Sequence, residues 1–171
     1  LRAARPDWGF LFEEGGEIEG DPDKPRWIVD PLDGTSNFLH GIPHFAISIA
    51  VQEPKLGGGG WNEVTAGVVY QPITDETFWA EKSRGAWLHD GRLRVSGRRN
   101  LSEALIATGV PFQGHGDFSE WTKIFSAIGP QVAGIRRFGA ASLDLAWLAA
   151  GRFDGFWESD LNDWDTAAGC L

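Results

Sequence analysis

The 171-residue sequence has no methionine and a single cysteine, Cys170. One thiol excludes an internal disulfide framework and fits a reducing compartment. Basic residues are also scarce. Fifteen Lys and Arg face twenty-four Asp and Glu, for a net charge of −9 and a pI near 4.8. Such a chain repels a phosphate backbone or an anionic membrane surface, which argues against unaided binding to nucleic acid or membrane. A phosphorylated small molecule stays compatible if something cationic mediates the contact. No apolar run approaches the roughly 18 residues of a membrane span, and no signal peptide opens the chain. A cytoplasmic protein is therefore expected. The chain starts at Leu1 and ends, over Asp165 to Leu171, in what reads as a helix start without a stop signal. It is expected to be an internal piece of a longer protein, incomplete at both ends.

What is present suffices for a packed core. Hydrophobic residues make up 42%, and the length suits one domain or one and a part. Apolar alternation predicts strands at Arg26–Asp30, His44–Gln52, Val64–Gln71 and Thr77–Glu81. The second and third flank a glycine tract, Gly57 to Gly60, which reads as a flexible hairpin connection rather than a phosphate cradle. Asp90-Gly91 reads as a turn between short strands, and Leu105–Gly109 as a further strand. A helix is expected over Ser119–Ala127, capped by Ser119 and stopped by Gly129-Pro130. Ser142 starts a second helix, Leu143–Ala150, which Gly151 ends. Phe153–Glu158 suits a strand, and Asp165 caps a last helix. The mixture predicts a layered α/β (α+β) sandwich with a weak boundary near Pro111–Gly116, dividing residues 1–110 from 111–171. The nine tryptophans are expected in the core and between layers. Trp164 stands out because it adjoins Asp165.

The densest chemical signal is Trp27-Ile-Val-Asp30-Pro-Leu-Asp33-Gly-Thr-Ser-Asn-Phe38. An apolar strand runs into Asp30, Pro31 suits the start of a helical turn, and Asp33 follows three residues on. Two carboxylates so close repel unless a cation or protons lie between them. The N–H groups of Gly34 and Thr35 would face outward, as donors for an anion. The segment thus offers oxygen ligands for a hard cation and donors for a phosphate, although Asp33-Gly34 alone also suits a plain turn. Glu13 and Glu14 follow the apolar Trp8–Phe12 and read by default as solvated loop charges, as does Asp163. His40 and His44 have the spacing of a helical zinc pair, but Gly41 and Pro43 would break that helix. Cys170, with no basic neighbour, reads as a buried small hydrophobe.

The Asp30-Pro-Leu-Asp-Gly-Thr-Ser-Asn-Phe segment resembles the first signature of the inositol monophosphatase family, and Trp164-Asp-Thr-Ala-Ala-Gly resembles its second. Glu13-Glu14 stands where that family has an upstream acidic pair. Phe138-Gly-Ala-Ala-Ser-Leu-Asp and Gly151-Arg-Phe-Asp-Gly-Phe-Trp-Glu158 look like the segments between the signatures, particularly those of bacterial members. The resemblance implies a layered αβαβα fold and a magnesium-dependent, lithium-sensitive phosphomonoesterase with two or three Mg2+ ions, Mn2+ being an alternative. Position by position, it implies that Glu14, Asp30 and the Leu32 carbonyl hold a first metal. Asp30, Asp33 and Asp165 would hold a second. Gly34 and Thr35 would bind phosphate, with Thr35, Glu14 and Asp30 also acting in catalysis, while Ala141 and Glu158 would contact the alcohol.

The implied substrate is a small polyol or sugar phosphate, with inositol 1-phosphate as the first expectation. Histidinol phosphate, fructose bisphosphate and a nucleotide 3′-phosphate are the alternatives within the superfamily. A non-catalytic role with a transcription or ribosome partner is a second class of reading, and a cation-stabilised structural domain a third. By analogy the protein would be a homodimer. The Ser159-Asp-Leu-Asn-Asp163 stretch departs from the glycine and proline usual in bacterial relatives, placing extra acids near the substrate side.

Overall fold

The computed structural model describes residues 1–55, 60–112, 114 and 116–171. Of the glycine tract, residues 57–59 lie outside the described residues.

Among the described residues, eleven strands build two sheets. The large sheet contains β1 (Gly9–Phe12), β2 (Gly16–Ile18), β3 (Arg26–Asp33), β4 (Ala46–Pro54), β5 (Trp61–Gln71), β6 (Glu76–Glu81), β7 (Gly85–Leu88) and β8 (Gly91–Arg92). Its order is β2-β1-β3-β4-β5-β6-β7-β8, and every pairing is antiparallel except that of β1 with β3. The small sheet is parallel, with β9 (Leu105–Thr108) between β10 (Gly134–Arg136) and β11 (Gly155–Trp157). The helices are α1 (Thr35–Leu39), α2 (Phe118–Ile128), α3 (Ala141–Ala149) and α4 (Asp163–Thr166).

Helix α3 touches β3, β4 and β5 of the large sheet and β11 of the small one, so it lies between them. Six of its residues are buried, which fits a helix apolar on several sides. Helix α4 packs on β3 and β4, and Ser48 donates to the Trp164 carbonyl at 3.2 Å. Small residues permit this approach: a Cβ on Gly67 of β5 would lie 3.0 Å from the Ala168 backbone. Helix α2 meets the small sheet through Trp121, whose Nε1 donates to Thr108 Oγ1 at 3.1 Å and whose ring stacks near Trp157. The layered α/β architecture expected from the sequence is therefore present. The break between the sheets falls between Arg92 and Leu105, so β9 joins the later elements.

Local differences have local causes. Strand β3 runs past Pro31 to Asp33, with a register shift against β4 between Asp30 and Asp33, so the helical turn starts only at Thr35. Gly34 makes that change of direction at φ 89, in the left-handed region open to glycine. Helix α2 is capped by Asp117, which accepts from Ser119 and Glu120 N–H, and not by Ser119. Helix α4 is capped by Asn162; Asp165 sits three residues on and returns a bond to the Asn162 N–H, completing a capping box. Ser142 is the second residue of α3 and no cap. Gly151 does end α3 at φ 71. The strands β2 and β10 are three-residue pieces that pattern alone does not reveal. Cys170 is exposed rather than buried, because the α4 turn presents Ala168 to the core instead.

One side chain ties the first signature to the segment before α3. Buried Asn37 donates from Nδ2 to the His44 and Phe138 carbonyls, both at 2.7 Å. Replacing it by Ala strands two inward-facing carbonyls. Asn37→Ala is expected to lose about 2–4 kcal/mol of stability, read as a lower urea midpoint at unchanged m-value. A loss below roughly 0.5 kcal/mol would show that the tie is redundant.

Candidate functional site

The C-terminal end of β3, the start of α1, the N-terminus of α3, the segment after β11 and α4 converge on one open cavity of about 350 Å³. Its wall carries the carboxylates of Glu13, Asp30, Asp33, Glu158, Asp160 and Asp165. Arg137 is the one cationic side chain on that wall among the described residues.

Asp30 is 2% exposed, and its Oδ1 accepts the Leu32 N–H at 2.9 Å. Burial pushes its pKa up to about 8; the Leu32 bond opposes this, while Asp33, Glu13 and Asp165 add to it. The charges acting on it are thus other carboxylates. Asp33 is raised by burial, opposed by bonds from Ser142, with Asp165 raising it further. Asp165 is raised by burial against its bonds from Asn162. Glu13 is raised by burial, opposed by a hydrogen bond with Asp30, and raised again by Glu14, Asp165 and Asp33.

Asp30, Leu32, Asp33, Gly34, Thr35, Ala141, Glu158 and Asp165 all line the cavity, as does Trp164. Glu14 does not; both glutamates are exposed, but it is Glu13 that lines the cavity and hydrogen-bonds Asp30. The parallel pairing of β1 with β3 ends at Phe12 beside Val29, and the turn that follows carries Glu13 to the end of β3. His40 is exposed, with Nδ1 on the Ser36 carbonyl, whereas His44 is buried, stacked on Phe138 and edge-on to Trp147.

The rest of the wall carries Glu158 and Asp160, both expected on the substrate side, together with Arg137. Glu158 lies hard against Gly109, where a Cβ would fall 1.8 Å from Oε1, so only glycine fits. Burial lifts Glu158 to about 7, partly countered by Arg137. Asp160 adopts φ 59 and accepts the Gly116 N–H at 2.5 Å, joining two segments of the rim. Asp144, one turn beyond Ala141 in α3, is buried and lifted to about 8, first by burial and then by Glu158. Arg136-Arg137 was legible only as a basic pair.

Could these residues hold a cation? Among the described residues no three Asp, Glu, His or Cys side chains lie close enough together to hold a metal ion as they stand. The donor chemistry nevertheless fits a hard divalent ion. Four carboxylates and the Leu32 carbonyl share one wall, all are oxygen donors, and burial raises every carboxylate, with repulsion from its neighbours adding to it at Glu13, Asp30 and Asp33. Thr35 Oγ1 donates to the Leu32 carbonyl at 3.0 Å, which fixes both groups at the same rim.

The model of the inositol monophosphatase family matches residues 1–171. The chain is 56% identical over 172 residues to an inositol-1-monophosphatase of Caulobacter vibrioides, covering all of this chain and 65% of that protein. It is 49% identical over 175 residues to the Nus factor SuhB of Pseudomonas aeruginosa, again over the whole chain and 62% of that protein. The crystal structure of the extragenic suppressor protein suhB from Bartonella henselae superposes with a TM-score of 0.91 at 51% identity, over 99% of this chain and 63% of that one. The chain thus spans somewhat under two thirds of the length of these relatives.

The crowded carboxylates are measurable without substrate. Asp30 holds its proton more tightly folded than unfolded, with its pKa raised from 3.8 to about 8. Its contribution to stability is complete below about pH 4 and is lost as pH rises through about 8. In chelator-treated protein, wild type is therefore expected to lose melting temperature relative to Asp30→Asn as pH rises across that window. Millimolar Mg2+ is expected to restore wild type only. A difference between the two proteins that does not change with pH would contradict this.

Proposed function

The chain belongs to the inositol monophosphatase family, and from that premise we propose that its site hydrolyses a small phosphate monoester with the help of divalent cations. The observation that carries the reading is the four-carboxylate wall of Glu13, Asp30, Asp33 and Asp165 beside the donors of Gly34 and Thr35. Glu13, Asp30 and the Leu32 carbonyl would hold one cation, and Asp30, Asp33 and Asp165 another. Glu13 takes the part that the resemblance assigned to Glu14. Mg2+, or Mn2+ in its stead, would lower the pKa of a bound water and offset the charge of the phosphate and the leaving oxygen.

The chain's own groups do the positioning. The N–H groups of Gly34 and Thr35 sit where a phosphate oxygen would accept them. The Thr35 hydroxyl donates to Leu32, which leaves its oxygen as an acceptor to orient the attacking water. At the other end, Glu158 and the Ala141 backbone would meet hydroxyls of the alcohol. Six wall carboxylates against one guanidinium admit an anion only where cations compensate. That balance favours a neutral polyol over an alcohol bearing a second phosphate, since Glu158 and Asp160 both lie at the alcohol end. Inositol 1-phosphate is the leading substrate, ahead of histidinol phosphate, fructose bisphosphate and a nucleotide 3′-phosphate. Lithium sensitivity, a homodimer and a cytoplasmic location complete the proposal.

The likeness to a Nus factor supports a second reading, a binding role with a transcription partner. Phosphate release by the full-length gene product separates the two. Inositol 1-phosphate, glycerol 2-phosphate, histidinol phosphate and fructose bisphosphate would be compared with Mg2+, with and without Li+. Lithium-sensitive release is expected, fastest on the polyol monophosphate and abolished by Asp30→Asn with the fold intact. Glu13→Gln is expected to cost at least ~100-fold and Glu14→Gln less than ~3-fold, each tenfold being about 1.4 kcal/mol of barrier. No release from any ester by folded protein would favour the binding role. Equal losses at Glu13 and Glu14 would overturn the ligand assignment.

A further inference from the structure

Ser142 has no part in the cavity wall, yet it is wholly buried and bonded to one of the proposed ligands. Both its backbone N–H, at 2.8 Å, and its hydroxyl, at 2.5 Å, donate to a single oxygen of Asp33, Oδ2. The Ala141 N–H also acts on this carboxylate. These donors belong to the first turn of α3, more than a hundred residues from Asp33 in sequence. Such N–H groups have no partner within their own helix, so the carboxylate completes the start of α3. The reverse effect matters more for the site. With both Ser142 bonds committed to Oδ2, Oδ1 is the oxygen left for the cavity.

We propose that Ser142 is a positioning residue, which locks the Asp33 carboxylate so that Oδ1 is presented to a divalent cation. The proposal rests on the reading of Asp33 as a cation ligand. A ligand held by neighbouring hydrogen bonds loses less orientational freedom on binding, and outer contacts of this kind typically carry about 10–100-fold in metal affinity. The hydroxyl is the removable part. Ser142→Ala keeps the backbone donor and the helix, and deletes one bond to Oδ2.

The test is Mn2+ binding to the full-length protein, by calorimetry or by the electron paramagnetic resonance signal of free Mn2+. Ser142→Ala is expected to weaken binding about tenfold and to raise the half-saturating Mg2+ for turnover in step, with turnover recovering at high Mg2+. Ser142→Cys, similar in size with a weak S–H donor, is expected to fall between Ala and wild type. If the alanine variant does not fold, the cysteine variant carries the test. Leu143→Ala, in the same helix, fully buried and not hydrogen-bonded to Asp33 through its side chain, controls for structure: it is expected to lower the melting temperature while Mn2+ affinity stays at the wild-type value. Ser142 variants that bind Mn2+ as wild type does would overturn the positioning role. Wild-type protein that binds no Mn2+ would instead overturn the ligand reading itself.

Discussion

Four carboxylates face one another at the end of β3, and their mutual repulsion organises the site. Asp30 is nearly inaccessible, and the groups that act on it beyond its own backbone bond are Asp33, Glu13 and Asp165. Burying like charges together costs folding free energy unless protons or cations intervene. The fold supports these groups from several sides. Leu32 N–H holds Asp30, the α3 N-terminus holds Asp33, and the α4 capping box holds Asp165. Each of these three carboxylates is thereby oriented by a different element.

That arrangement depends on close approach between distant parts of the chain. Asn37 reaches both the His44 and Phe138 carbonyls, which fixes α1 against the segment leading into α3. A Cβ on Gly34 would meet the His44 carbonyl at 3.1 Å and Ala140 at 3.3 Å, so the turn that presents Thr35 needs glycine for space as well as for its positive φ. Alanines at positions 46, 50, 140, 146 and 168 supply a thin core that brings α3 and α4 onto the large sheet. A bulkier interface would lift Asp165 and Asp33 away from Asp30.

Most of the strands and the layered class were legible in the sequence because period-2 alternation is strong in β3 to β6. The aspartate pair of the first signature was legible because both members lie within four residues. Where the reading fell short, the missing information was non-local. Glu13 and Glu14 are indistinguishable in sequence, and only the turn after β1 shows that Glu13 is the one bonded to Asp30. Asp165 looked like a cap because caps are acidic, yet Asn162 fills that position and Asp165 is its partner. Ser142 had a helix-start signature but no sign that its hydroxyl would meet Asp33 across 109 positions. Arg137 and Asp160 reach the cavity only because the segments before α3 and after β11 fold back on its rim.

The central claim is that Asp30, its pKa pushed up to about 8, holds a proton near neutral pH which a divalent cation displaces. It is tested most directly by Mg2+ titration calorimetry at about pH 7.5 in two buffers of different ionisation enthalpy. The account predicts binding coupled to proton release, on the order of one proton per site, and a smaller release for Asp30→Asn. Tight binding with the same heat in both buffers would contradict it.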